Sequence, residues 1–211
     1  MDYILNNPDE ILSLGLQHLA ITGIALTIAA AIALPLGYLI YRFPRLQIPV
    51  MGVLGVLYTV PSIALMILLL PFFGLDATSV VIALVIYTQV ILVRNVISGL
   101  NGIDPAVLES ARGMGMTNWQ MAWKVQLPLA FPVIVAGARI ATIVAVAIAT
   151  IGARFNGGGL GTLLFDGIAQ AGRLDKIWAG AISVGVLALA LNLVIGLVER
   201  RVVRWSRATG R

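Results

Sequence analysis

A chain of 211 residues that is 60% hydrophobic and 11% charged falls outside the mix of a soluble globular domain. At roughly 20 apolar residues per bilayer crossing it can place about half its length in lipid. It has no cysteine and a single histidine, which excludes disulfides, thiolate metal sites and thiol nucleophiles and leaves His18 unable to assemble a zinc site alone. The net charge of +5 does not read as a nucleic-acid footprint, because Arg200, Arg201, Arg204, Arg207 and Arg211 follow directly on an apolar stretch, as in a cytoplasmic flank.

Asp2, Asp9 and Glu10 precede the first apolar run, with no Lys or Arg, so the basic region of a cleaved signal peptide is missing and the first hydrophobic segment is expected to be retained. The predicted architecture is an all-α bundle of about five membrane-spanning helices filling residues 1–211 as one domain, with spans at 19–41, 48–73, 80–98, 133–153 and 177–198. His18 falls at the outer end of the first span and is assigned no chemistry. The second span is longer than one straight crossing needs and carries Pro61 followed by Ser62, which predicts a kink or break and leaves re-entry open. Gln89 in the third span and Asn192 in the fifth are uncharged polar groups suited either to interhelical hydrogen bonds or to lining a path. Arg139 lies roughly 9 Å into the fourth, within snorkelling reach of the cytoplasmic surface. Gly157 to Gly161 are not a phosphate loop, since no Gly-Lys occurs in the chain, and read as a tight extracellular turn.

Lys and Arg set the orientation. With the N-terminus outside, Arg42, Arg45, Arg94, Arg112, Lys124, Arg139 and the five tail arginines face the cytoplasm, against Arg154, Arg173 and Lys176 outside, so the expected topology is N-out, C-in.

The loop at 99–131 carries the strongest local signals. Asp104 followed by Pro105 reads as a helix cap with proline at the first helical position. A short helix then runs to Arg112, and Gly113 and Gly115 are expected to stop it in left-handed geometry. Thr117 with Gln120 forms a capping box for a second helix, expected to end at Leu127 and Pro128. Val107, Leu108, Ala111 and Met114 share one face of the first helix; Trp119 and Trp123, four apart, are placed at the headgroup level.

Glu109-Ser110-Ala111, three residues to Gly115, nine more, then Val125-Gln126-Leu127-Pro128 resembles the loop motif of the membrane subunits of binding-protein-dependent ABC importers, with Ser110 for alanine and Val125 for isoleucine. The stretches Thr59-Val60-Pro61-Ser62, Gly113-Met114-Gly115-Met116-Thr117 and Gly157-Gly158-Gly159-Leu160-Gly161 are similar to the glycine betaine, carnitine and choline permeases within that superfamily, although Arg154, Phe155 and Asn156 intervene here where that family commonly runs Ile-Gly-Ala straight into the glycines. The resemblance implies a non-catalytic transport subunit of the bacterial inner membrane that works by alternating access. Its coupling helix would comprise Glu109, Ser110, Ala111, Arg112, Gly113, Met114 and Gly115, supported by Asp104, Pro105, Thr117, Leu127 and Pro128. It further implies a cytoplasmic ATPase dimer that holds the ATP and magnesium, a second permease subunit, identical or paralogous, and an extracytoplasmic solute-binding protein; the chain itself binds no cofactor and no nucleic acid. Tyr58, Thr59, Ser62, Tyr87, Gln89, Arg139 and Asn192 are the pathway candidates, the two tyrosines as aromatic faces for a quaternary ammonium. Two alternatives remain at this stage: an amino-acid permease of the same architecture, and a channel or carrier independent of nucleotide, which the lack of any Asp or Glu inside a span disfavours.

Overall fold

The computed structural model describes the backbone of residues 2–208 and the side chains of residues 3–201, so the side chains of Arg204 and Arg207, and all of Arg211, lie outside the described residues. The described residues form ten α-helices: α1 (Asp2–Asn6), α2 (Pro8–Arg42), α3 (Gln47–Thr59), α4 (Ser62–Phe73), α5 (Ala77–Asn101), α6 (Pro105–Gly113), α7 (Asn118–Met121), α8 (Leu127–Gly152), α9 (Gly161–Ala169) and α10 (Leu174–Ala208). No strand occurs among the described residues.

Helix α2 has 35 residues, about 52 Å at 1.5 Å per residue, and so extends well beyond its apolar stretch. Pro8 opens it where a missing N–H is harmless, and Asp9 and Glu10 complement the positive end of its dipole. Tyr3 on α1 lies under the cations of Arg173 and Lys176, 5.8 and 5.5 Å from its ring centroid, and donates its hydroxyl to Glu10 at 2.7 Å. That bond to a carboxylate pushes the Tyr3 hydroxyl up to about 12.

Small residues let the long helices approach closely, as expected where lipid supplies no hydrophobic driving force between them. Ala25, Ala29, Ala33 and Gly37 recur every four residues on the buried side of α2. A methyl group on Gly37 would lie 2.6 Å from Val96 of α5, and one on Gly99 of α5 would lie 2.9 Å from the Ala130 carbonyl of α8. Helix α5 is therefore the centre of the bundle, with 61% of its most apolar stretch buried, while α10, at 6%, lies on the periphery.

The kink or break expected in the second apolar segment is a break between two helices. Helices α3 and α4 meet at 98°, separated by Val60 and Pro61 in extended geometry. Proline removes a donor and disfavours helical geometry in the residue before it. The Val60 carbonyl freed by the break accepts a hydrogen bond from the Tyr87 hydroxyl on α5.

Two expectations need correction. The helix begun at Thr117 does not end at Leu127 and Pro128: a single π-helical turn, Ala122–Gln126, carries it directly into α8. The Leu127 N–H reaches back to the Ala122 carbonyl, and the widened turn gives room to the Pro128 ring, which in regular α geometry would clash with the carbonyl of residue 124. The region after the fourth span is more than a turn. Asn156, Gly158 and Gly159 adopt left-handed backbone, after which Gly161 starts α9, a helix the sequence pattern did not signal. The glycines pack on Gln17, whose Oε1 accepts from the Gly159 N–H at 2.9 Å, and on His18. His18 is fully buried, its Nε2 3.2 Å from the Val146 carbonyl.

Candidate functional site

The loop between α5 and α8 is built from its local sequence. Asp104 Oδ1 accepts from the Ala106 N–H at 2.9 Å and Pro105 occupies the first turn of α6. The far end closes by a Schellman arrangement: the Met116 N–H bonds to the Ala111 carbonyl at 3.2 Å and the Gly115 N–H to the Arg112 carbonyl at 2.9 Å. Gly115 sits at φ +79°. Gly113, expected to share that geometry, is instead the last residue of the helix, because the ladder runs one residue beyond Arg112. Thr117 and Gln120 exchange both bonds of a capping box, at 3.2 and 2.9 Å.

One side of this loop is fastened and the other is free. Leu108 packs on a cluster formed by Val96, Leu100, Ile103 and Ala130, and Ala111 is buried. The shared face expected for Val107, Leu108, Ala111 and Met114 is thus divided, since Val107 and Met114 are exposed. Glu109, Ser110, Arg112, Gly113 and Gly115 are exposed too, and neither Glu109 nor Arg112 has an ion-pair partner among the described residues. The exposed rings of Trp119 and Trp123 meet edge to face with centroids 5.4 Å apart. Gln126 ties the π turn back to α2 through the Tyr41 hydroxyl at 3.3 Å.

The pathway candidates separate into two sets. Tyr58 and Tyr87 lie together, ring centroids 5.9 Å apart at 69°, beside the break, with Thr59 bonded to its own helix through the Val56 carbonyl and Ser62 half-buried at the start of α4. Gln89, Arg139 and Asn192 are not brought there. Gln89 bonds across to the Ala29 carbonyl at 3.1 Å, and Arg139 donates to Asn192 at 2.6 Å and to Glu199 at 3.2 Å, joining α8 to α10. Next to Tyr58 the structure adds two residues not chosen from sequence, Arg94 and Asn95, which with Gly55, Val90 and Ile91 line a cavity of about 320 Å³. A signal for Arg94 was available: Tyr87, Ile91, Arg94, Ser98 and Asn101 recur at helical spacing along α5.

Among the described residues, four helices long and apolar enough to cross a membrane, a further pair broken at Pro61 and a short capped helix exposed on its polar side define a polytopic membrane protein. Residues 18–205 match the family described as binding-protein-dependent transport system inner membrane component, and the chain belongs to that family: it is a multi-pass permease component of such a system in the inner membrane. It is 40% identical to the carnitine transport permease protein OpuCB of Listeria monocytogenes over 185 residues, 88% of this chain and 84% of that protein. It is 37% identical to the osmoprotectant import permease protein OsmW of Salmonella typhimurium, over 92% of both chains. To the glycine betaine/carnitine/choline transport system permease protein OpuCB of Bacillus subtilis it is 33% identical, over 96% of this chain and 93% of that one. Among solved structures, a chain of the MetNI methionine ABC transporter in an inward-facing conformation shares the fold, with a TM-score of 0.83 and 22% identity over 92% of this chain and 96% of that chain.

Proposed function

We propose that this chain is the permease of an ATP-driven importer for quaternary-ammonium osmoprotectants of the glycine betaine, carnitine and choline class, moving solute by alternating access with its N-terminus outside and its C-terminus inside. The observation that carries this reading is α6, a capped helix held from behind by Leu108 and Ala111 whose exposed side offers Glu109 and Arg112 unpaired. An exposed, rigidly closed helix of this kind suits the groove of another protein. That partner is a cytoplasmic ATPase dimer, which holds ATP and magnesium, because this chain has no Gly-Lys with which to bind nucleotide phosphates. A second permease subunit completes the pathway and an extracytoplasmic binding protein delivers solute. The solute class is supported by the transport permeases to which the chain is 33–40% identical.

The test is uptake by liposomes holding the permease, its ATPase and its binding protein, with glycine betaine, choline and methionine in competition. Glu109→Ala should abolish ATP-dependent uptake while the variant still inserts in the membrane. Full uptake by that variant, or accumulation against a gradient by liposomes holding this polypeptide alone, would overturn the proposal.

A further inference from the structure

We infer, on the osmoprotectant reading above, that the groove between α3 and α5 is a zwitterion subsite in which Tyr58 receives the quaternary ammonium and Arg94 the carboxylate. Both side chains line the cavity of about 320 Å³, at the small end of the range for small-molecule sites and so matched to a solute of a dozen or fewer heavy atoms.

Arg94 is exposed and has neither an ion-pair nor a hydrogen-bond partner among the described residues. It stands seven residues before the end of α5, roughly 10 Å from it along the helix. A guanidinium unpaired at that depth is costly against lipid and needs water or an anion. Arg139 shows the alternative, since its guanidinium is bonded to Asn192 and Glu199. A second cavity of about 350 Å³ begins at the same Arg94 and runs past Gln47 and Ser98 to Asn101, giving the subsite a polar route to the end of α5. Arg94 therefore belongs to both cavities.

The other end of the cavity suits a cation without N–H groups, which is recognised by aromatic faces and negative potential rather than by hydrogen bonds. Tyr58 is 42% exposed and its ring is held on one side by Tyr87, itself anchored through its hydroxyl to the Val60 carbonyl. Tyr58 lies in the last turn of α3, where the broken helix presents the negative end of its dipole. One turn earlier Gly55 leaves open space beside the ring, with nothing within 4 Å of where a methyl group would sit. A guanidinium takes a carboxylate through two parallel hydrogen bonds, so solutes with and without a carboxylate should part company at Arg94.

The experiment measures maximal uptake at saturating solute, so that capture by the binding protein does not limit, in the complete transporter with wild-type, Arg94→Gln, Arg94→Lys and Tyr58→Leu permeases. Arg94→Gln should lower glycine betaine and carnitine uptake about tenfold more than choline uptake, the loss of a charged hydrogen bond. Arg94→Lys, which keeps the charge but loses the fork, should recover only part of that difference, and Tyr58→Leu should depress all three solutes together. Equal losses for the three solutes in Arg94→Gln, or no loss, would overturn the subsite while leaving the osmoprotectant reading intact. Wild-type transporter that carries none of the three would overturn that reading, and the subsite with it.

Discussion

Gly113 and Gly115, two residues apart in one exposed loop, should respond to alanine with opposite signs. Neither has any atom within 4 Å of an added methyl group, so packing contributes nothing and only the backbone decides. Gly113 ends α6 without positive φ; alanine there lowers the entropy of the unfolded loop and should stabilise the helix by about 0.5–1 kcal/mol. Gly115 holds φ +79°, where a side chain meets the following carbonyl oxygen, and alanine should destabilise it by about 1–2 kcal/mol. Helix α6 opens locally rather than with the whole bundle, so amide hydrogen exchange of Arg112 to Met116 in the detergent-purified chain reads both effects. Protection should rise by about twofold to fivefold in Gly113→Ala and fall by about fivefold to thirtyfold in Gly115→Ala. If the coupling reading holds, only Gly115→Ala should also weaken ATP-dependent uptake. Shifts of the same sign in the two variants would refute the assignment of the left-handed turn to Gly115 and with it the closure of α6.

Gly161→Ala should behave differently from both, because its methyl group would run into the Thr150 carbonyl oxygen, which belongs to the backbone of α8 and cannot rotate away. A loss of about 1–3 kcal/mol is expected, read as a lower thermal midpoint in detergent, with Gly52→Ala, in open space, as the control that should not fall. Tyr3 supplies a pH prediction. Its hydroxyl is raised to about 12 from an ordinary value of 10.0, chiefly by its bond to Glu10, so the protonated form is favoured in the folded chain. The attachment of α1 is therefore fully present below pH 10 and lost as pH rises through 12. Phenolate absorbance, taken as the difference from Tyr3→Phe, should titrate in that window and move to lower pH in Glu10→Gln; an unmoved midpoint would remove Glu10 as the cause.

Local chemistry was legible in the sequence wherever the partners lie within a few residues of each other. Asp104 with Pro105 and Thr117 with Gln120 carry their caps in the order of residue types, and these form in the structure. What depends on distant partners was not legible. Gly113 and Gly115 are alike as letters, and only the point at which the α6 ladder closes on Ala111 distinguishes them. Pro61 announces a break, but the 98° angle follows from how α4 packs and from the Tyr87 hydroxyl, 27 residues away, which takes up the freed carbonyl. Helix α9 was hidden by its glycines, which normally weaken helices; here Gly161 is needed for the close approach to α8, and Gly167 for that to the start of α10. Arg94 shares a face of α5 with Tyr87 and Ile91, a signal obscured by its weight as one positive charge in the orientation count. Its place in the groove follows from the crossing of α3 over α5.

The same crossing links the two halves of the proposed function. Leu108 of α6 rests on Val96, Leu100 and Ile103 at the end of α5 and its continuation, together with Tyr38 and Tyr41 of α2 and Ile134 of α8. Arg94 lies on α5 less than one turn from Val96. Close contacts at Gly37 and Gly99 bind α5 to its two neighbours, which favours its moving with them over its bending between them. On the proposed reading, a load placed on α6 reaches Arg94 through a single packed layer, whereas Tyr58 sits on α3, beyond the turn at Pro44–Leu46 and next to the break at Pro61. Displacing α5 against α3 would then change the separation of guanidinium and ring, so that one motion both widens the groove and weakens its hold on a zwitterion. A cross-link between Gly55→Cys and Ile91→Cys, across the groove, should therefore stop the uptake that the same pair supports when reduced, while leaving solute-independent ATP hydrolysis by the partner in place. Transport that continues through the cross-linked groove would separate the subsite from the stroke and refute this linkage.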